Sequence, residues 1–219
     1  MSLCGEKTPK YTIPLPTKLL SFLKAGGERN VLDIGCGYGR ACFFLHENGC
    51  NVVGIDVNKS HVKMALEEAK KRYISEKLGF LLNDACAMCF PEASFDTVTM
   101  LGVLTLIPKA KRQKIISEAW RVLKPSGYLF IEEFGRTWRN PVYAKRYRED
   151  LKLTGEKGTF TVKDDNGRVL HLAHHFTRKE IQILLKRFKI LSFEENTFTS
   201  YYHGNRVRGF IILAQKKIE

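Results

Sequence analysis

VLDIGCGYGR, residues 31–40, packs an apolar run, one acid and three alternate glycines into ten positions. Val31, Leu32 and Ile34 suit a buried parallel strand, while Gly35, Gly37 and Gly39 permit a sharp turn whose backbone can approach a ligand more closely than any Cβ would allow. Ala41, Cys42, Phe43, Phe44 and Leu45 continue as a buried helix. The unit therefore reads strand, glycine loop, helix. A second strand follows in NVVGID (51–56) and ends on Asp56. A carboxylate at that strand tip can grip two ribose hydroxyls, as such acids do in nucleotide-binding α/β folds.

A dinucleotide fingerprint needs G-x-G-x-x-G, with pyrophosphate over the helix N-terminus. Here the third glycine arrives one place early, Arg40 fills the next position, and Asp33 sits just before the turn. A carboxylate there repels a pyrophosphate and suits a cation, such as the amino group and sulfonium of S-adenosylmethionine. On these residues the chain resembles the class I S-adenosylmethionine-dependent methyltransferases, whose first motif has the form D-x-G-x-G-x-G. The likeness, to small-molecule enzymes of the ubiquinone-biosynthesis kind, recurs in order at NDA (83–85), FDTVTMLGVL (95–104) and WRVLKPSGYLF (120–130).

The resemblance implies a Rossmann-like three-layer α/β sandwich. Its seven-stranded sheet should be mostly parallel with an antiparallel last strand, and a lid and hairpin should be inserted after strand 5. It also implies S-adenosylmethionine as cofactor, bound by Asp33, Gly35, Cys36, Gly37 and Gly39 of the first loop and by Asp56 and Val57 after the second strand. Asp84 and Ala85 would read the adenine, and the Leu101 carbonyl would hold the methionyl ammonium. Another reading of Asp84 is an acid that caps its own loop. Family members that methylate amino groups often carry a polar residue or an N-P-P-Y-type tetrapeptide after the fourth strand. LGVLTL (101–106) stands there instead and supplies no strong base.

With 219 residues and 44% hydrophobic content, the chain can build one sizeable core. The expectation is a single domain over 1–219, with a cofactor-binding half (17–134), an insertion over the acceptor site (135–176) and a closing helix and strands (177–219). No apolar run approaches the roughly 20 residues of a membrane span, and no charged-then-apolar leader opens the chain. A soluble, cytoplasmic protein is expected. Cysteines at 4, 36, 42, 50, 86 and 89 read as reduced, small apolar residues. Cys86 and Cys89 form a C-x-x-C pair without a second pair to complete a zinc site, so no metal is expected.

The net charge of +13 is uneven: residues 1–110 carry 13 Lys+Arg against 11 Asp+Glu, and residues 111–219 carry 23 against 12. In this architecture the acceptor sits on the second half of the sheet. The basic excess there points to an anionic small-molecule acceptor, to RNA, or to no more than solvated lysines.

Along the chain, Thr17 to Lys24 offers a short amphipathic helix after an extended, proline-broken start at Pro9, Pro14 and Pro16. Asn58 is a plausible N-cap, with Val62, Ala65, Leu66, Ala69 and Tyr73 on one helical face. Residues 109–123 read as a helix with a basic outer face (Lys109, Lys111, Arg112, Lys114), stopped by Pro125 and Gly127. Strand 128–134 leaves Glu132 and Glu133 near its end, where solvation at an edge or loop is expected, the alternative being that one of them faces the site. The insertion opens with RTWRNPVYAKRYR (136–148), five basic residues interleaved with Trp138, Tyr143 and Tyr147. This suits either a stacking, phosphate-contacting surface or an amphipathic lid helix with a buried aromatic edge.

Residues 159–175 alternate around Asp165-Asn166-Gly167, a tight hairpin turn signal. Alternation puts His171 and His175 on one face of the second arm, as candidate proton acceptors. Thr177 and Glu180 form a capping box. Strands at 190–193 and 207–214 close the chain around a loop with Tyr201, Tyr202 and His203, whose connection is expected to lie away from the site. Of three function classes, small-molecule methyltransferase leads, and an RNA-modifying or RNA-binding protein on the same scaffold follows. A nicotinamide oxidoreductase is disfavoured by Asp33 and the missing glycine.

Overall fold

A computed structural model describes residues 13–23, 29–74, 76–164, 166–199 and 206–218. Pro9, Lys24, Asp165, Tyr201, Tyr202 and His203 lie outside the described residues. The cofactor half runs α1 (Thr17–Leu23), β1 (Arg29–Ile34), α2 (Arg40–Glu47), β2 (Cys50–Asp56), α3 (Lys59–Lys71), β3 (Leu78–Leu82) and β4 (Phe95–Leu101). It is followed by α4 (Lys109–Val122) and β5 (Leu123–Phe134). The insertion holds α5 (Pro141–Glu149), α6 (Leu151–Thr154), β6 (Thr159–Lys163) and β7 (Val169–His174). The chain closes with α7 (Arg178–Leu184), β8 (Phe188–Thr199) and β9 (Arg206–Lys216).

The main sheet has the order β3-β2-β1-β4-β5-β9-β8. Its first five strands pair in parallel, and β9 is antiparallel to both of its neighbours. This is the expected seven-stranded, mostly parallel sheet with an antiparallel last strand. Alternation along the strands divides the core between the two faces. Leu32, Ile34, Leu129, Ile131 and Ile212 pack with α4 and α7 through Ile115, Ile116, Ala119 and Ile181. Val31, Phe130, Ile211 and Leu213 pack with α1, α2, α3 and α5 through Leu19, Phe43, Val62 and Tyr143. Each fully buried Leu, Ile or Phe contributes about 1.5–3 kcal/mol. The helices start where the sequence supplies caps: Asn58 accepts from the Ser60 and His61 amides, Asn140 from Val142, and Thr177 with Glu180 forms a reciprocal box.

Several local expectations are corrected. On α3, Val62, Ala65 and Ala69 are buried, but Leu66 is exposed at the edge of that stripe and Tyr73, beyond the helix end with φ 56°, projects outward. Arg112 is not on a solvated face: it is buried, and its guanidinium grips Glu156 at 2.6 and 3.1 Å. Pro125 and Gly127 do not separate helix from strand. β5 begins at Leu123, and the residues before Tyr128 form an irregularity in its pairing with β4. β8 and β9 are longer than their apolar cores because polar edge positions such as Glu194, Glu195 and Asn196 extend the ladder. The hairpin turn is not a two-residue Asn-Gly turn. The Asp164 backbone amide bonds the Arg168 carbonyl at 3.0 Å, while the Asp164 carboxylate accepts from Asn166 and Arg168.

The insertion is anchored at the carboxyl edge of the sheet. Gly135 and Phe176 bridge its two ends, and the Thr105 hydroxyl donates to the His174 carbonyl, tying β7 to the short turn Leu104–Leu106 after β4. The β8–β9 pairing runs past Phe134, which pairs with Gly209, as far as Thr199 and Arg206. The outer ends of β8 and β9 therefore stand beyond the end of β5, because β9 is antiparallel to β5.

Candidate functional site

The strand order places the ends of β3, β2, β1 and β4 side by side, so that 83–85, 56–57, 35–39 and 101 follow one another along a single edge. Open α/β sheets hold ligands outside such carboxyl ends. Gly35, Gly37 and Gly39 all have positive φ (68°, 54° and 81°), a conformation that costs L side chains energy. Two of them differ in what surrounds them. A Cβ on Gly39 would meet the Phe80 ring at 2.7 Å, whereas one on Gly37 would meet nothing within 4 Å. Gly39 is thus required by helix–sheet packing, and Gly37 leaves its backbone bare on the ligand side of the loop.

Asp56 holds this loop. Its Oδ2 accepts from the Gly37 amide at 2.9 Å and its Oδ1 from the Asn58 amide at 2.8 Å. Asp33 is buried beneath it, accepting from Thr99 Oγ1 at 2.6 Å and from Cys42 Sγ at 3.3 Å. Burial raises its pKa to about 6, against the lowering effect of those two hydrogen bonds. It is therefore largely ionised near pH 7. Cys36 is buried, and its amide bonds the Ile55 carbonyl at 2.9 Å, fastening the loop to β2.

Val57 is 69% exposed, an apolar shelf next to Asp56. Asp84 is exposed and caps its own loop, accepting from Cys86 N at 2.8 Å. Ala85 and Leu101 are half-buried beside it and at the end of β4. The Asn83 Oδ1 atom is buried and has no hydrogen-bond partner among the described residues. Bare loop backbone, an apolar shelf, a ribose-height carboxylate and a buried unpaired acceptor suit a nucleoside carrying positive charge. Over the loop, Arg40 donates to the Ile13 and Pro14 carbonyls at 2.6 and 3.1 Å, drawing the start of the described chain across this edge.

The two candidate histidines are separated by the structure. His171 is exposed on the outer half of the hairpin, while His175, at its base, is buried. His175 stacks on Phe134 and its Nδ1 meets the Tyr147 hydroxyl at 2.7 Å. Because that hydroxyl accepts from the Thr137 amide, its proton is directed at His175 Nδ1. Burial lowers the His175 pKa to about 3, so the ring is neutral and a poor proton acceptor at pH 7.

For Glu132 and Glu133 the expectation of solvation is corrected: both are buried. Glu133 accepts from Leu104 N at 2.5 Å and from Thr105 N at 3.2 Å, fixing the turn after β4. Glu132 Oε2 is buried without a hydrogen-bond partner among the described residues. Burial raises both to about 8. Two acids at the end of an otherwise apolar strand, FIEEF, were the available signal. Cys86 is buried and Cys89 exposed, and no group of metal-ligating side chains occurs among the described residues. No helix among them is long and apolar enough to cross a membrane.

Comparison with known proteins agrees with this geometry. Residues 31–127 match the family described as methyltransferase domain. The solved structure of an S-adenosylmethionine-dependent methyltransferase from Methanosarcina mazei superposes with a TM-score of 0.87 at 36% identity, covering 91% of this chain and 98% of that one. Among curated proteins, sterol 24-C-methyltransferase ERG6 of Saccharomyces cerevisiae is 36% identical over 117 residues, 52% of this chain and 30% of the yeast protein. The tRNA N(3)-cytidine methyltransferase METTL2 of Mus musculus is 27% identical over 195 residues, 83% of this chain and 47% of the mouse protein. The chain thus spans less than half the length of these curated relatives.

Proposed function

Since this chain belongs to the class I S-adenosylmethionine-dependent methyltransferases, we propose that it transfers the cofactor's methyl group to a small, anionic acceptor at the carboxyl edge of its sheet. The observation that carries the reading is the bare backbone at Gly37, held by Asp56 and underlain by buried Asp33. On this reading Asp33, Gly35, Cys36, Gly37 and Gly39 wall the cofactor site. Asp56 and Val57 take the ribose and adenine side, Asp84 and Ala85 the adenine edge, and the Leu101 carbonyl the methionyl ammonium. When bound, S-adenosylmethionine supplies an electrophilic methyl on a sulfonium, open to in-line displacement.

The chain's own residues then act by alignment and by exclusion of water. Asp33 offers negative charge to a cation from within the sheet. Asp56 and Cys36 keep the glycine loop in one shape. Residues 17–134 carry the cofactor, 135–176 roof the acceptor and 177–219 close the sheet, a division supported by the ties of the insertion to the turn after β4. With His175 neutral and low in basicity and Glu132 predominantly protonated at pH 7, no side chain among the described residues serves as a general base. On this reading the acceptor atom is one already nucleophilic at working pH.

Mass spectrometry of ligand retained on the purified protein, followed by transfer of labelled methyl to a panel of anionic acceptors, tests this. Retained S-adenosylmethionine or S-adenosylhomocysteine is expected. A bound pyrophosphate dinucleotide would overturn the reading.

A further inference from the structure

A groove of about 960 Å³ opens beside the proposed acceptor half, between the segment leading from β5 into α5 and the outer ends of β8 and β9. It is at the upper end of small-molecule sites, which run about 300–1,000 Å³. Its walls are stitched together: Arg208 N donates to Thr137 Oγ1 at 2.9 Å, and Asn140 Nδ2 to the Arg206 carbonyl at 3.3 Å. Of its four guanidiniums, two are engaged, Arg136 with Glu180 at 2.7 Å and Arg208 with Glu195. Arg139 and Arg206 are exposed and have no ion-pair partner among the described residues. Trp138, next to Arg139 in the sequence, lines the same groove, 51% exposed and braced edge-on by buried Tyr147 at 5.0 Å. The other aromatics of this basic stretch, Tyr143 and Tyr147, face the core, so Trp138 alone of the three presents a ring outward.

A braced aromatic face next to two unspent guanidiniums is the arrangement that takes a stacked base and its phosphate. We propose that this groove binds a nucleotide unit, free or within a single strand of RNA, with the base on Trp138 and the phosphate on Arg139 and Arg206. The proposal rests on the methyltransferase reading only for its consequence, that the anionic acceptor is a nucleotide; the binding itself does not.

Fluorescence anisotropy of fluorescein-labelled hexauridylate with the full chain tests it, with uridine monophosphate and inorganic polyphosphate as competitors. Micromolar binding is expected. Arg139→Glu/Arg206→Glu should weaken it at least tenfold and flatten the logarithmic salt slope by about 0.7, the value for one lost single-strand phosphate contact. Trp138→Ala should weaken it several-fold and Trp138→Phe should recover most of the loss. Displacement by the monophosphate at similar concentration identifies a free nucleotide; displacement only by oligonucleotide identifies a strand. Absence of binding, unchanged affinity in the double variant, or equal competition by polyphosphate with Trp138→Ala unaffected would overturn the proposal. Calorimetry with S-adenosylmethionine on the same proteins separates the two readings: retained donor affinity with lost nucleotide binding speaks to the groove alone, and absent donor affinity in every protein speaks against the cofactor site.

Discussion

Gly37 and Gly39 look equivalent in the sequence and are not equivalent in the fold. Both have positive φ, so alanine costs about 1 kcal/mol of backbone strain at either. Gly39→Ala adds a clash with the Phe80 ring, and a clear loss of stability in urea unfolding is expected. Gly37→Ala meets no protein atom, so it should fold with little more than the strain cost. Its methyl would project to the ligand side of the loop, and calorimetry should find S-adenosylmethionine affinity reduced at least tenfold. Normal affinity would remove Gly37 from the cofactor site. Asp56→Ala tests the neighbouring carboxylate, which already accepts two backbone amides. A loss of about 1–3 kcal/mol in donor binding is expected from missing charged hydrogen bonds, and unchanged affinity would exclude the ribose role.

At the scale of elements, the strand–loop–helix unit at 31–45 was legible because apolar run, glycines and helix follow without interruption, and it set the orientation of the whole sheet. The outer half of β8 was not legible, since Glu194, Glu195 and Asn196 lie on an edge strand where polar residues conceal the ladder. Arg112 was misread for a related reason. Charge pattern on a helix assumes solvent outside it, and here the insertion folds back and buries that face. Its pair with Glu156 joins α4 to the segment before β6, with Thr159 Oγ1 donating to the same carboxylate at 2.6 Å. The Glu156 pKa is lowered despite burial, because the hydrogen bonds from Arg112 and Thr159 outweigh desolvation. Arg112→Ala should therefore leave an uncompensated carboxylate and cost about 3–5 kcal/mol, measured by urea unfolding. Methionine in place of both Arg112 and Glu156 should restore much of that loss, an outcome that a purely helical role for Arg112 would not give.

For the molecule as a whole, buried titratable groups set how stability depends on pH, and the sheet itself arranges them. Glu132 and Glu133 share the end of β5, and burial raises both from the ordinary range near 4.5 to about 8. A raised carboxyl binds its proton more tightly in the folded state, so its contribution is complete below the unfolded pKa and is lost as pH rises through the folded one. Asp33, raised to about 6, follows the same sign and has spent its contribution by neutrality. His174 and His175 act oppositely. Burial lowers them to about 4 and about 3, so their contribution is present above the ordinary histidine pKa near 6.5 and is lost on acidification. Between pH 7.5 and 8 the histidines are almost wholly neutral in both states and Asp33 is ionised, leaving the two glutamates to govern the slope. Stability should fall with pH across that window by up to about 1.4 kcal/mol per pH unit for each group. Urea unfolding at pH 7.5 and 8.0 measures it. Glu132→Gln/Glu133→Gln should flatten the difference between the two pH values, because the amides cannot ionise; a difference as steep as in the native chain would show that the glutamates are not protonated in the fold.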